Sequence, residues 1–312
     1  MVVVKRALPA LVVGAVAALG LAGCGSDAAD PPASDVLQVD ASFYPLQWAT
    51  RQIGGDHVDV SSLTPPGAEP HDLELTPKQV AGLTDAALVV YASGFQPAVD
   101  DAVGQVASDT GFDVAPFADL TISATGEHVD EEDAAHDPAA MDPHFWLDPV
   151  RFEQVVQAIG DRLAEVDPDN AADYAAGTDS LLEDLATLDQ EFSDGLADCR
   201  QTRLVTSHTA FAYLAERYGL DQVGISGVNP DVEPDAATVK RISELVQEQG
   251  ITTIYTETLA SPALAETVAR ETGATTAVLD PVAGLTDTSA GSDYLEIMRS
   301  NLRTLQEGQQ CE

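Results

Sequence analysis

From residue 36 onward, short apolar runs alternate with stretches whose apolar positions recur every three or four residues, the signature of βαβ units on a parallel sheet. The pattern predicts strands at 36–40, 57–63 and 87–92, helices at 45–53, 75–83 and 97–106, and a short strand end at 114–116. Thr76-Pro77 supplies a capping residue followed by proline at the first helical position. Residues 126–143 break the pattern, with seven acids around His128 and His136, and read as a mobile acidic loop. Asp148-Pro149 then starts a helix running to about residue 165, and Asp167-Pro168 opens another. In that second helix Tyr174, Thr178, Leu181, Leu185, Leu188, Phe192 and Leu196 recur at intervals of 4, 3, 4, 3, 4 and 4 residues. One apolar stripe over roughly 28 residues predicts a rod of about 42 Å. It reads as a spine between two lobes rather than a coiled-coil dimer arm, because the alternating pattern resumes after it.

The second half predicts strands at 203–206, 223–225, 252–256 and 276–279, with helices at 210–218, 236–249, 262–272 and 294–306. The expected fold is α/β: two lobes, each a parallel-type sheet flanked by helices, joined by one long rigid helix. The boundaries are 36–166 for the first lobe, 167–198 for the linking helix and 199–312 for the second lobe.

The first residues follow another rule. Lys5 and Arg6 precede an apolar run over 8–19 that leads into Leu21-Ala22-Gly23-Cys24, the order of a signal peptide with a lipobox. A retained membrane anchor wants about 20 apolar residues, and this run is shorter and contains a proline. Residues 1–23 therefore read as a lipoprotein signal peptide and 24–35 as a flexible tether. The mature chain is expected to be extracytoplasmic, anchored to the cell membrane through lipidated Cys24. The remaining pair, Cys199 and Cys311, is expected to form a disulfide outside the cytosol, the alternative being two free buried thiols. Asp and Glu number 52 against 14 Lys and Arg, a formal charge of −38 that becomes −40 without Lys5 and Arg6. Such a surface repels nucleic acid and anionic membrane faces and excludes both as ligands.

Six histidines carry the candidate chemistry. His57 reads as a turn or surface residue, and His128 and His136 as solvated members of the acidic loop. His71 sits on a stiff loop between a strand and a helix, His144 in a rigid segment entering a helix, and His208 where a strand meets a helix. Ligands bind at such junctions in open α/β sheets. Asp280 follows the last strand in the same manner. Each residue alone is as well explained by capping or packing. Together they form a His3Asp set, two members from each lobe, suited to four-coordinate Zn(II); more carboxylate would favour Mn(II).

The segments Pro65-Pro66-Gly67-Ala68-Glu69-Pro70-His71, Asp142-Pro143-His144-Phe145-Trp146-Leu147-Asp148-Pro149, Ser207-His208-Thr209-Ala210-Phe211-Ala212-Tyr213-Leu214 with Arg217-Tyr218-Gly219-Leu220, and Thr256-Glu257 before Leu264-Ala265-Glu266-Thr267 resemble the zinc- and manganese-binding solute receptors of bacterial ABC importers. The resemblance covers essentially the mature chain. It implies a metal held in the cleft between the lobes by His71, His144, His208 and Asp280. It also implies an ABC permease and its ATPase as partners, and the protein itself is expected to be a monomer. A histidine at the third position is usual for the zinc members, so His208 favours zinc over the alternative, manganese. The family's zinc members often have a long histidine-rich loop, whereas residues 126–143 are mostly acidic. Asp148 reads as a helix cap and Glu257 as a hydrogen-bonding partner of a ligand histidine. No HExxH or G-x-S-x-G motif supports a zinc-dependent hydrolase, so the chain is not expected to be an enzyme. No exposed aromatic patch or binding repeat supports a surface adhesin.

Overall fold

In the computed structural model, which describes residues 36–126, 128–129 and 140–312, the apolar runs become parallel strands of three to five residues. The first lobe holds β1 (Leu37–Ala41), β2 (Val58–Ser62), β3 (Leu88–Tyr91) and β4 (Gly111–Asp113), with α1 (Tyr44–Gly54), α2 (Pro77–Gly82) and α3 (Pro97–Val106) between them. The second holds β5 (Arg203–Thr206), β6 (Asp221–Gly224), β7 (Thr253–Thr256) and β8 (Thr275–Val278), with α6 (Ala212–Arg217), α7 (Ala236–Gln249), α8 (Ala263–Thr272) and the final α9 (Tyr294–Gly308). Strand orders are β2-β1-β3-β4 and β6-β5-β7-β8, so both sheets reverse direction of growth beside their first strand. That reversal leaves a crevice at the carboxyl ends of β1 and β5.

Local chemistry explains most boundaries. Thr76 caps α2 through a reciprocal bond pair with Gln79, and Asp148 caps α4 (Pro149–Val166) by accepting from the Val150 and Arg151 N–H groups. Gly250 and Gly273 end α7 and α8 in the left-handed conformation. Three expectations shift. The strand expected at 114–116 lies earlier, at Gly111–Asp113, because Pro116 belongs to a 3-10 turn over Ala115–Phe117. The spine is divided: Pro168–Asn170 forms a 3-10 turn, and the continuous helix, α5, is Ala171–Gly195, 25 residues. The helix expected from 210 begins only at Ala212, since the Phe211 N–H donates to Gln222 Oε1.

The stripe from Tyr174 to Leu196 is buried and joins the chain's own core, so it is no dimer arm in this structure. Gly160 and Gly177 permit the close packing: a Cβ on Gly160 would lie 2.1 Å from Thr178 Oγ1, and one on Gly177 would lie 2.3 Å from the Ile53 carbonyl of α1. One apolar core runs through both lobes, and its aromatic members Phe145, Trp146, Phe152, Trp48 and Tyr294 stack across the junction. The Tyr294 hydroxyl donates to the Trp146 carbonyl, Tyr213 donates to the Asp142 carbonyl at 3.0 Å, and Arg217 pairs with Asp148. Cys199 and Cys311 form a disulfide spanning 112 residues, which ties the C-terminus beside the end of α5. Among the described residues no helix is long and apolar enough to cross a membrane. Cys24 and the segments 1–23 and 24–35 lie outside the described residues, as does most of the acidic loop.

Candidate metal centre

Each of the three histidines is delivered by a short, constrained segment. The loop after β2 begins Pro65-Pro66, turns at Gly67 with φ 77°, and is tied to the second lobe by the Gly67 N–H donating to the Leu285 carbonyl at 3.0 Å. His71 follows, its ring edge-on to Phe95 at 4.7 Å. His144 does not follow a strand directly; it precedes a 3-10 turn, Phe145–Leu147, whose three side chains are all buried and so fix its position. His208 lies just beyond β5, where its own carbonyl accepts from the Thr206 hydroxyl at 2.6 Å.

The Nε2 atoms converge. His144 Nε2 is 3.2 Å from His71 Nε2 and 3.4 Å from His208 Nε2, and all three ligating atoms lie within 4.8 Å of one another. An ion held by nitrogens at about 2.0–2.1 Å and tetrahedral angles places them about 3.3–3.4 Å apart, so these separations suit a single small cation. The side chains are 8%, 1% and 3% exposed. The space they face is about 10 Å³ and is also lined by Glu69, Glu257, Pro230, Leu259 and Pro281. That is room for one water-sized sphere.

The outer nitrogens are held by carboxylates. Asp142 Oδ1 lies 2.7 Å from His144 Nδ1 and accepts the His144 backbone N–H at 2.9 Å. Glu257 Oε2 lies 2.6 Å from His208 Nδ1, too oblique for a straight hydrogen bond, while its Oε1 accepts the His208 backbone N–H at 3.2 Å. A carboxylate at Nδ1 leaves Nε2 as the lone-pair face that a metal needs. Burial, reinforced by neighbouring imidazoles, holds the His71 and His144 pKa values well below the ordinary histidine range, which keeps both rings neutral. Burial raises Asp142 and Glu69, each to about 7.

Asp280 stands apart from this cluster. It follows β8 as expected and is 2% exposed, but Oδ1 accepts the Val282 N–H at 2.8 Å, and it is not among the groups that converge on the ion-sized space. Its Oδ2 makes no hydrogen bond of ordinary geometry. Val282, a buried β-branched residue at φ 55°, strains the loop just after it. Two further oxygens were hidden in the sequence. Asp142 looked like one more acid of the loop, yet it is fully buried. Glu69 lines the space with Oε1 4.0 Å from His71 Nε2; its place two residues before His71, between prolines, was the available signal. The remaining histidines lie elsewhere: His57 pairs with Asp173 at the surface, His128 is largely exposed beside Glu216, and His136 lies outside the described residues.

The chain is similar to several zinc-binding proteins. The zinc-binding lipoprotein AdcA of Streptococcus pneumoniae strain R6 is 36% identical over 309 residues, covering 95% of this chain; the chain spans about 60% of that relative's length. The high-affinity zinc uptake system protein ZnuA of Bacillus subtilis strain 168 is 36% identical over 297 residues, covering 92% of this chain and 93% of its own. The crystal structure of the Zn(II)-bound ZnuA-like domain of S. pneumoniae AdcA superimposes with a TM-score of 0.70 at 36% identity, covering 88% of this chain and 98% of that one. A family model described as the periplasmic zinc-uptake complex component A, ZnuA, matches residues 39–308. A match of that extent, over both lobes and all three converging histidines, establishes that the chain belongs to the ZnuA family.

Proposed function

We propose that this protein captures a divalent transition metal outside the cytoplasm, Zn(II) before Mn(II), and delivers it to an ABC-type importer. The observation that carries the reading is the 3.2 and 3.4 Å spacing of the three Nε2 atoms around a space for one ion. His71, His144 and His208 are the nitrogen ligands in this reading. The fourth position belongs to an oxygen, either Asp280 after a turn of its carboxylate away from the Val282 N–H, or Glu69 from the rim. If both oxygens joined, the site would suit Mn(II) better, since hard oxygen donors favour it. The cargo arrives hydrated and exchanges water for imidazole, which requires neutral rings. A space of about 10 Å³ takes an ion and no organic substrate, which supports a receptor over a hydrolase. Lipidated Cys24 holds the receptor, as a monomer, beside the permease and its ATPase.

The test is competitive binding of zinc and manganese to the protein lacking residues 1–23, with His208→Ala beside it. One tight zinc site lost in the variant is expected. A manganese preference would overturn the choice of metal, and a variant that binds zinc as the parent does would overturn the site.

A further inference from the structure

The helix just after His208, α6, grips a segment of the other lobe on both sides of His144. Tyr213 reaches the Asp142 carbonyl, before His144, at 3.0 Å, and Arg217 pairs with Asp148, beyond it. One short helix thus leads away from one imidazole and holds the stretch that bears another. The separation it gauges is the 3.4 Å between His208 Nε2 and His144 Nε2.

The Tyr213 hydroxyl has a single proton to give. The Ile122 carbonyl, 3.3 Å away, already accepts the Asp142 N–H at 2.8 Å, so the proton goes to the nearer Asp142 carbonyl. The hydroxyl oxygen in turn accepts the Ile122 N–H at 3.4 Å. The Tyr213 ring is fully buried beneath the Arg151 guanidinium, whose carbon stands 4.5 Å from the ring centroid. Arg151 is itself held by Asp119 at 2.8 Å and Thr121 at 3.0 Å. A ring packed and bonded in this way leaves its hydroxyl little freedom to leave Asp142. From Asp142 the restraint passes to His144 by two routes. Along the backbone, Pro143 has a fixed φ and leads directly into His144. Through the side chain, Asp142 Oδ1 accepts the His144 N–H and lies 2.7 Å from Nδ1.

We propose that Tyr213 is a positioning residue for metal binding, its hydroxyl holding the Asp142 carbonyl so that His144 Nε2 stands where His208 Nε2 can share one ion with it. The inference rests on the three histidines being the ligands. A hydroxyl that merely stabilised the lobe junction would change the melting temperature and leave zinc affinity alone.

Tyr213→Phe keeps the ring beneath Arg151 and removes only the hydroxyl. In competition with a chromophoric chelator it should lower zinc affinity by about tenfold, the low end for an outer partner of a metal ligand. It should also change the visible absorption of the Co(II)-loaded protein, which reports ligand geometry. Tyr174→Phe removes a hydroxyl that donates to Asp167 at 2.7 Å from α5, and should leave both readouts unchanged whatever it does to stability. In a His144→Ala background, where zinc is held weakly by the remaining ligands, Tyr213→Phe should cost no more than about twofold, because the ligand it positions is gone. A Tyr213→Phe affinity within about twofold of the parent's, an equal loss in the His144→Ala background, or an equal loss from Tyr174→Phe would overturn the assignment. His144→Ala protein that binds zinc as the parent does sinks the reading of the histidines. A Tyr213→Phe without effect, in a protein that His144→Ala disables, sinks this inference alone.

Discussion

The indole N–H of Trp146, in the first lobe, donates to the carbonyl of Pro281, in the second, at 2.8 Å, and both residues are buried. The bond joins the segment that carries His144 to the segment that carries Asp280, so the position of one lobe's ligand loop is fixed by the other's backbone. Trp146→Phe keeps an aromatic ring and leaves that carbonyl unpaired. It should lower unfolding free energy by about 1–3 kcal/mol, read by urea denaturation of the metal-free protein. A loss within error would show that the bond does not hold the lobes.

The carboxylates behind the histidines act through them. Glu257→Gln preserves size and removes the charge beside His208 Nδ1. Zinc affinity should fall about 10- to 100-fold in a competition assay with a fluorescent chelator, without loss of thermal stability in the metal-free form. An unchanged affinity would assign Glu257 to holding the backbone N–H of His208 and nothing more.

The pH dependence follows from Asp142. Its carboxyl, raised to about 7 by burial, carries a proton below that value in the metal-free protein. A protonated Asp142 donates to Nδ1 of His144 and puts the ring's own proton on Nε2, where the metal must bind. Zinc binding therefore expels a proton, and affinity should fall as pH drops through about 7, by about tenfold per pH unit. His71, held well below the usual range by burial, adds no loss near pH 6.5. Calorimetry in buffers of different ionisation enthalpy counts the released proton, and Asp142→Asn should flatten the profile. A parent profile already flat between pH 7 and 6 would contradict this account.

Much of this was readable along the chain, and the exceptions share a cause. Helix starts at Thr76 and Asp148 and stops at Gly250 and Gly273 are local, since cap and helix lie within a few residues. The stripe on α5 was legible because a helix repeats its face. The junction argument singled out His71, His144 and His208, which the fold brings together, because proline-stiffened or strand-end segments that enter helices have few places to go. What escaped depends on partners distant in sequence: Trp146 meets Pro281 135 residues away. Asp142 reads as a loop acid until the fold closes over it.

Two glycines in helices should respond oppositely to alanine. Gly177→Ala drives a Cβ against the Ile53 carbonyl at 2.3 Å, separating α5 from α1, whereas Gly104 in α3 has open space around it. Gly177→Ala should destabilise by about 1–3 kcal/mol, as overpacking does, and Gly104→Ala should stabilise by about 0.5–1 kcal/mol. Thermal melts of both variants check the pair, and a harmless Gly177→Ala would mean that the two helices have room to part.

The aromatic stack that fills the junction between the lobes also governs time. Swinging the lobes apart would expose Trp48, Trp146 and Tyr294 together, which makes that motion a rare excursion. A smaller change lies at the rim, where Asn229 donates to Asp72 at 3.1 Å beside Pro230 and His71. Breaking that one bond opens the rim over the histidines with the aromatic stack and the body of the protein unmoved.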